Sequence, residues 1–287
     1  MTDISQKKVA FIGCGVMGGS LVKAVSKIIP ASHIYIMDID KKAVQKLAAE
    51  THAVIVFDYK ELASKKPDFL ILATKPPYIL QVLQNVLTAN TNSIPPVLIS
   101  IAAGITLASL QDTIEQNIQK QDSHAKKLPI LVRLMPNTPA QIGQGMIAFS
   151  IGTTDNNTAT HTTNSIKALF AKAGCVEEVP ETLMNAVTAI SGSGPAYVFM
   201  FIEALADAAV SFGIPRDKAY TFAAQTVKGS ASMVLENGQH PAELKDAVCS
   251  PAGTTIAAVT ALEKTGLRSA LQSAAQAAFD KAEKMSK

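Results

Sequence analysis

Residues 9–18 read Val-Ala-Phe-Ile-Gly-Cys-Gly-Val-Met-Gly, an apolar run that breaks into a glycine-spaced loop. Such a loop means a dinucleotide site only where it follows a strand and opens a helix. Both flanks are expected here. Val9–Ile12 reads as a buried strand, and residues 20–29 read as a helix with Leu21, Val22, Val25, Ile28 and Ile29 at helical spacing. Each glycine then has a physical task. Gly13 permits the tight turn, Gly15 lets backbone approach a pyrophosphate, and Gly18 lets the helix pack against the strand. Cys14, Val16 and Met17 complete the loop. The helix start offers free N–H groups and a partial positive charge to phosphates. Asp38 stands twenty residues past Gly18, at the end of the second expected strand. A carboxylate there accepts hydrogen bonds from the adenosine ribose and repels a 2′-phosphate, so it leans to NADH. Asp40, just before Lys41, is the expected cap of the next helix, which leaves Asp38 for the ribose. Lys41 and Lys42 could still attract a 2′-phosphate, so NADPH stays open.

The pattern continues as alternating strands and helices. Residues 34–37, 69–72, 97–100, 130–134 and 146–150 are short apolar runs, separated by helical stretches at 41–50 and from Pro76-Pro77 onward. Strands buried on both faces and alternating with helices predict an α/β fold with a parallel, doubly wound, Rossmann-type sheet. Ligands in such sheets sit beyond the carboxyl ends of the strands. Ala73, Thr74, Lys75 and Pro76, with Ala102 and Ala103, therefore fall beside the nicotinamide half. Lys75 reads equally well as a phosphate or ribose ligand and as an exposed helix-end lysine.

Past residue 155 the texture changes. A helix over 158–173 and one short strand over 175–179 are expected, and from Glu181 onward no strand. The remainder is alanine-rich and broken at glycines and prolines, which predicts about five or six helices. The division is thus 1–180 for the Rossmann-type domain and 181–287 for an all-helical C-terminal domain. The helix from Ala196 to Ala209 is apolar around most of its circumference, and burial by a second subunit would satisfy it.

Bulk properties set the limits. The 287 residues suit two domains at ~150 residues each. A net charge of +3, with basic residues clustered only in pairs, gives no footprint for nucleic acid. Cys14, Cys175 and Cys249 lack metal-ligand spacing and are not a disulfide framework, so no metal and a reducing compartment are expected. Residues 1–8 lack a signal-peptide core, and the apolar run at 196–202 is too short for a bilayer. The expectation is a soluble, cytoplasmic protein with no membrane partner.

Several segments together resemble the pyrroline-5-carboxylate reductase family. They are residues 11–18, Thr74-Lys75-Pro76, Ser100-Ile101-Ala102-Ala103-Gly104 and Arg133-Leu134-Met135-Pro136-Asn137-Thr138-Pro139. Ser191-Gly192-Ser193-Gly194-Pro195-Ala196-Tyr197 follows, then His240-Pro241 through Leu244-Lys245-Asp246 to Ser250-Pro251-Ala252-Gly253-Thr254-Thr255-Ile256. The match runs in order along almost the whole chain. It implies NAD(P)H-dependent reduction of the C=N bond of 1-pyrroline-5-carboxylate to proline, with the helical part binding substrate and forming a homodimer that can assemble further.

The resemblance also implies roles. The substrate carboxylate needs N–H donors, expected from Gly253, Thr254 and Thr255, with Ser250 as helix cap and Pro251 in the first turn. The Thr255 hydroxyl would face the ring nitrogen as the catalytic group. Ser193 and Gly194 would border the substrate. Glu181 would stabilise iminium charge, or simply serve as a first-turn acid favoured by a helix dipole. His240 is expected to start a helix. The family loop reads Ser-Pro-Gly-Gly-Thr-Thr, and Ala252 replaces its first glycine. Ala252 is harmless if it lies in the first helical turn, the reading adopted here, and strained if φ is positive. Asp38 is a second departure, since the family often has a small polar residue there and prefers NADPH. A β-hydroxyacid-type dehydrogenase would need a catalytic lysine among Lys218, Lys228 and Lys245, none of which has a glycine-flanked context. A nucleotide-sensing scaffold is disfavoured by the paired cofactor and substrate loops.

Overall fold

The computed structural model describes residues 3–89, 94–120, 128–153 and 155–286. Its internal contacts divide the chain into two compact units, Met1–Gly192 with Ala278–Lys287, and Ser193–Ala277.

The first unit is built on an eight-stranded sheet in the order β3-β2-β1-β4-β5-β6-β7-β8. The strands are β1 Val9–Ile12, β2 Ile34–Met37, β3 Val54–Ile55, β4 Phe69–Leu72, β5 Val97–Ser100, β6 Ile130–Met135, β7 Gly145–Gly152 and β8 Gly174–Glu178. Helices α1 Val16–Val25, α2 Lys41–Thr51, α3 Tyr59–Ser64, α4 Ile79–Ala89, α5 Leu107–Lys120, α6 Asn156–Phe170 and α7 Met184–Val187 accompany them. Strand alternation divides the apolar residues between two cores. Val9, Phe11, Ile36, Ile71, Ile99, Val132 and Phe149 face one side, packed with Leu21, Val25 and Phe170. Ala10, Ile12, Leu70, Leu72, Leu98 and Leu131 face the other, packed with Ile79, Leu83, Leu110 and Ile114. The short runs at β2, β4 and β5 lie where the sequence places them, because a strand buried on both faces must be apolar throughout.

Three differences from expectation have physical reasons. Helix α1 starts at Val16, directly after the loop, not at residue 20, so Gly18 and Gly19 lie inside it and residues 26–29 form turns. Strand β7 runs antiparallel to β6, and β8 parallels β7, so the sheet is parallel only as far as β6. The 3-10 turn Thr138–Ile142 between β6 and β7 is too short for a crossover helix, and a short connection forces antiparallel pairing. Strand β3 pairs only with β2, and its two residues are too few to announce themselves.

The second unit holds α8 Gly194–Ser211, α9 Arg216–Asn237, α10 Pro241–Ala247, α11 Thr254–Thr265 and most of α12 Leu267–Met285. Its buried cluster is small: Ala206, Ala219 and Ala223, flanked by Ile202, Ala209, Val210 and Ile214. The α8 side chains Val198, Phe199, Met200, Phe201 and Leu205 are exposed within the chain. Helical turns run from Glu181 to Gly192 and, past the bend at Ser193, from Gly194 to Ser211, so this apolar stretch is longer than the sequence suggested and reaches the length and composition of a membrane span.

Candidate active site

The phosphate loop has the backbone that its glycines permit. Gly13 adopts φ +108°, and a Cβ there would lie 2.5 Å from the Ala73 carbonyl carbon. A Cβ on Gly18 would fall on the Gly13 carbonyl oxygen, so α1 can pass this close only without one. Gly15 has open space around its Cα, at the exposed mouth of the loop. It is the N-cap of α1 and makes no side-chain cap, so the first-turn amides of Val16 and Met17 point outward without helical partners. The loop, Ala73 and Thr74 thus converge beyond the ends of β1 and β4. The Thr74 hydroxyl is buried there without a hydrogen-bond partner. Outward amides, a glycine mouth and an unpaired hydroxyl at adjoining strand ends fit a dinucleotide. Lys75 is exposed and precedes the turn Pro76–Tyr78.

Asp38 is fixed in place by the same loop. Its Oδ2 accepts from Cys14 N at 2.5 Å and its Oδ1 from Asp40 N at 2.9 Å. Asp40 caps α2, accepting from Lys42 N and Ala43 N as expected. The Cys14 thiol is buried beneath the loop, and burial, reinforced by the Asp38 charge, pushes its pKa up to about 12. It stays a thiol at physiological pH and packs as an apolar side chain.

Beyond β5, Ala102 is buried and its amide reaches Ser100 Oγ at 3.4 Å. Gly104 has φ +80°, and a Cβ there would lie 2.8 Å from the Met285 carbonyl oxygen. Glu181 opens a short turn at Glu181–Leu183, and one of its carboxylate oxygens is engaged within the first unit. Oε1 accepts from Leu107 N at 2.7 Å and from Arg133 Nη1 at 3.3 Å. Asn137, in the Met-Pro-Asn-Thr-Pro segment, is buried and makes two hydrogen bonds: Oδ1 accepts from Met146 N at 2.8 Å and Nδ2 donates to Ser191 O at 2.9 Å. It fastens β7 to the π-type turn Thr188–Gly192. Neither Arg133 nor Asn137 stood out as functional in the sequence; both lie in the segment that carries the resemblance, which was the available signal.

In the second unit the loop over residues 250–255 differs from expectation. Ala252 has φ +56°, in the left-handed region, so it does not lie in the first helical turn. Helix α11 begins later, at Thr254 with Gly253 as N-cap, and Ser250 does not cap it. Ser250 instead closes a turn, its carbonyl accepting from Gly253 N at 3.0 Å. A Cβ on Gly253 would collide with Ser250 Oγ. The turn uses the Gly253 amide, and the unpaired donors are those of the first helical turn, Thr254, Thr255 and Ile256. Ser193 precedes α8, which Gly194 opens with free space at its Cα. His240 caps α10, Nδ1 accepting from Ala242 N at 3.1 Å. No group of three or more metal-ligating side chains occurs among the described residues.

Residues 181–285 match the family described as pyrroline-5-carboxylate reductase dimerisation. Residues 8–104 match the family described as NADP oxidoreductase, coenzyme F420-dependent. The pyrroline-5-carboxylate reductase of Escherichia coli is 40% identical over 98% of this chain and 99% of its own. The chain belongs to the pyrroline-5-carboxylate reductase family. The reductase of Methanosarcina acetivorans is 36% identical over 99% of this chain and 100% of its own. Among solved structures, the Plasmodium falciparum pyrroline carboxylate reductase with NADP bound superposes with a TM-score of 0.81 at 30% identity, covering 99% of both chains. The Coxiella burnetii pyrroline-5-carboxylate reductase gives 0.84 at 28% identity, over 98% of this chain and 99% of that one. Membership makes this chain an NAD(P)-dependent oxidoreductase.

Proposed function

We propose that the chain reduces the C=N bond of 1-pyrroline-5-carboxylate to L-proline, the last step of proline biosynthesis. NAD(P)H, when bound, supplies a hydride from nicotinamide C4. Residues 13–18 hold the pyrophosphate by backbone amides at the start of α1. Asp38 receives the adenosine ribose, and Ala73, Thr74, Lys75, Pro76, Ala102 and Ala103 border the nicotinamide half.

The substrate carries one carboxylate and one imine. The amides of Thr254 and Thr255, unpaired at the start of α11, take the carboxylate, with Gly253 shaping the loop through its own turn bond. The Thr255 hydroxyl bonds the ring nitrogen and holds the proton that makes the imine an iminium. Ser193 and Gly194 close the pocket rim. Positioning supplies most of the acceleration, since a preformed iminium needs no strong acid. Glu181 Oε1 is engaged by Leu107 N and Arg133 Nη1, which leaves Oε2 as the oxygen able to stabilise iminium charge in this reading.

Residues 1–180 act as the dinucleotide-binding part, and residues 181–287 bind substrate and dimerise. The exposed α8 face then meets a second copy rather than a lipid, giving a soluble cytoplasmic homodimer able to assemble further. The single observation that carries the reading is the coexistence, in one family member, of an open phosphate loop and an unpaired helix start in the substrate loop. The test follows NADPH or NADH oxidation by purified protein with pyrroline-5-carboxylate. Absence of oxidation with both cofactors overturns it.

A further inference from the structure

Arg133 lies in the middle of β6 with only 2% of its side chain exposed. Its neighbours in register are Ser100 on β5 and Ser150 on β7. A buried guanidinium is costly unless its charge is balanced, and Glu181 is its one ion-pair partner among the described residues. Its Nε and Nη2 are buried and make no hydrogen bond. Everything that holds this cation therefore acts through Nη1 and the Glu181 carboxylate.

The same Glu181 oxygen accepts the Leu107 amide, the first N–H of α5. Thr106 Oγ1 takes the Ser109 amide beside it. A carboxylate at a helix start also gains from the helix dipole. Residues 101–106 lie between β5 and this anchored helix start, and they include Ala102 and Ala103. The loop is also held from two other sides. Ser100 Oγ accepts the Ala102 amide, and the Met285 carbonyl abuts Gly104. Met285 is fixed in turn, because Asn185 Nδ2 donates to Glu283 Oε1 at 2.6 Å and Ser286 Oγ to Asn185 Oδ1 at 3.0 Å.

We infer that Arg133 and Glu181 are positioning residues. Buried Arg133 orients the Glu181 carboxylate onto the Leu107 amide, and this contact fixes the β5–α5 loop at the depth that nicotinamide binding requires. The inference rests on the proposed placement of Ala102 and Ala103 beside the cofactor.

The test compares two double variants, R133M/E181Q and R133M/E181A. Neither leaves a buried unpaired cation, so both are expected to fold. Only the glutamine variant keeps an acceptor for Leu107 N. Two readouts are taken: affinity for NADPH by its fluorescence, and hydrogen exchange of the backbone without substrate. Relative to the glutamine variant, the alanine variant should bind NADPH about tenfold more weakly, the size of one hydrogen bond to a helix-start amide. Amides 102–107 should exchange faster, while those of residues 13–18 stay unchanged. Against the glutamine variant, R133M/E181A should also raise KM for NADPH and leave KM for the imine within about twofold, as expected when the lost interaction serves the cofactor alone. A rise confined to KM for the imine would make Glu181 a substrate ligand and overturn the inference. Equal NADPH affinity and equal exchange in the two double variants would overturn it too, as would faster exchange spread over the whole unit. Failure of the wild-type protein to turn over would instead strike the proposed reaction and leave the exchange comparison standing.

Discussion

The two units solve the burial problem differently. The first places its large side chains inside two apolar layers, with Phe11, Phe149, Phe170 and Leu21 fully buried. The second buries alanines and leaves Phe199, Met200, Phe212 and Phe222 exposed. Burying a Phe or Met side chain is worth about 1.5–3 kcal/mol, so the second unit forgoes most of its available stabilisation as a single chain. A unit with an alanine core and a phenylalanine surface is arranged for a partner.

The contrast can be broken most severely at α8. Phe199→Glu places a charge on the face that the second copy would cover. Dimer dissociation should rise by at least about a thousandfold, ~4 kcal/mol for a charge buried without a partner, measured by sedimentation. NADPH binding to the first unit should survive, and a variant that stays dimeric would refute the assigned face. A comparable factor is expected for thiol reactivity. Only the thiolate is alkylated, and a pKa of about 12 leaves Cys14 roughly a thousandfold less ionised than an ordinary thiol. Raising the pH toward that value should increase Cys14 labelling about tenfold per unit. Exposed Cys175 should label first at every pH, as mass spectrometry would show; fast labelling of Cys14 at neutral pH would contradict its burial.

Substitutions within the two candidate sites are expected to act in smaller steps. Thr255→Ala should lower kcat about a hundredfold, as when one preorganised hydrogen bond to the reacting group is lost, with NADPH affinity unchanged. Lost NADPH binding would deny the division of labour between the units. Asp38→Ser removes the anion that the proposed function sets beside the ribose, and the preference for NADPH over NADH should rise at least about tenfold in kcat/KM. An unmoved ratio would mean that Asp38 serves only the Cys14 and Asp40 amides. The smallest effect is at Ala252. Replacing it with glycine relieves a left-handed backbone, offset by the freedom glycine has when unfolded, for a gain of about 0.5 kcal/mol. Thermal unfolding should shift upward by a degree or two, and a lower Tm would show that alanine at φ +56° is not strained.

What could be read from the chain followed the range of the interaction involved. Strands β2, β4 and β5 and the Asp40 cap depend on neighbouring residues, so periodicity and local chemistry located them. The start of α1 is hidden in the sequence because Gly18 and Gly19 disfavour a helix locally, and only the close approach of Gly18 to Gly13 and Ala73, and of Gly19 to Cys14 and Leu47, makes them fit. The left-handed backbone of Ala252 is a property of how its loop closes on Ser250, and no side chain advertises it. Arg133 meets Glu181 across 48 positions of sequence, and Asn137 reaches Ser191 across 54. Pairings of that length exist only once the sheet has assembled. The exposed face of α8 was legible as apolar, while its partner lies outside a single chain.

The return of α12 has a consequence for how the protein comes into being. Glu283 and Ser286 bind Asn185, and Met285 abuts Gly104, so the first unit contains both the beginning of the chain and residues that follow the whole helical unit. During synthesis the sheet can assemble long before those residues leave the ribosome. Its β5–α5 loop lacks the Met285 contact until they do, which makes the segment that the proposed function sets beside the nicotinamide the last part of the first unit to gain all its contacts.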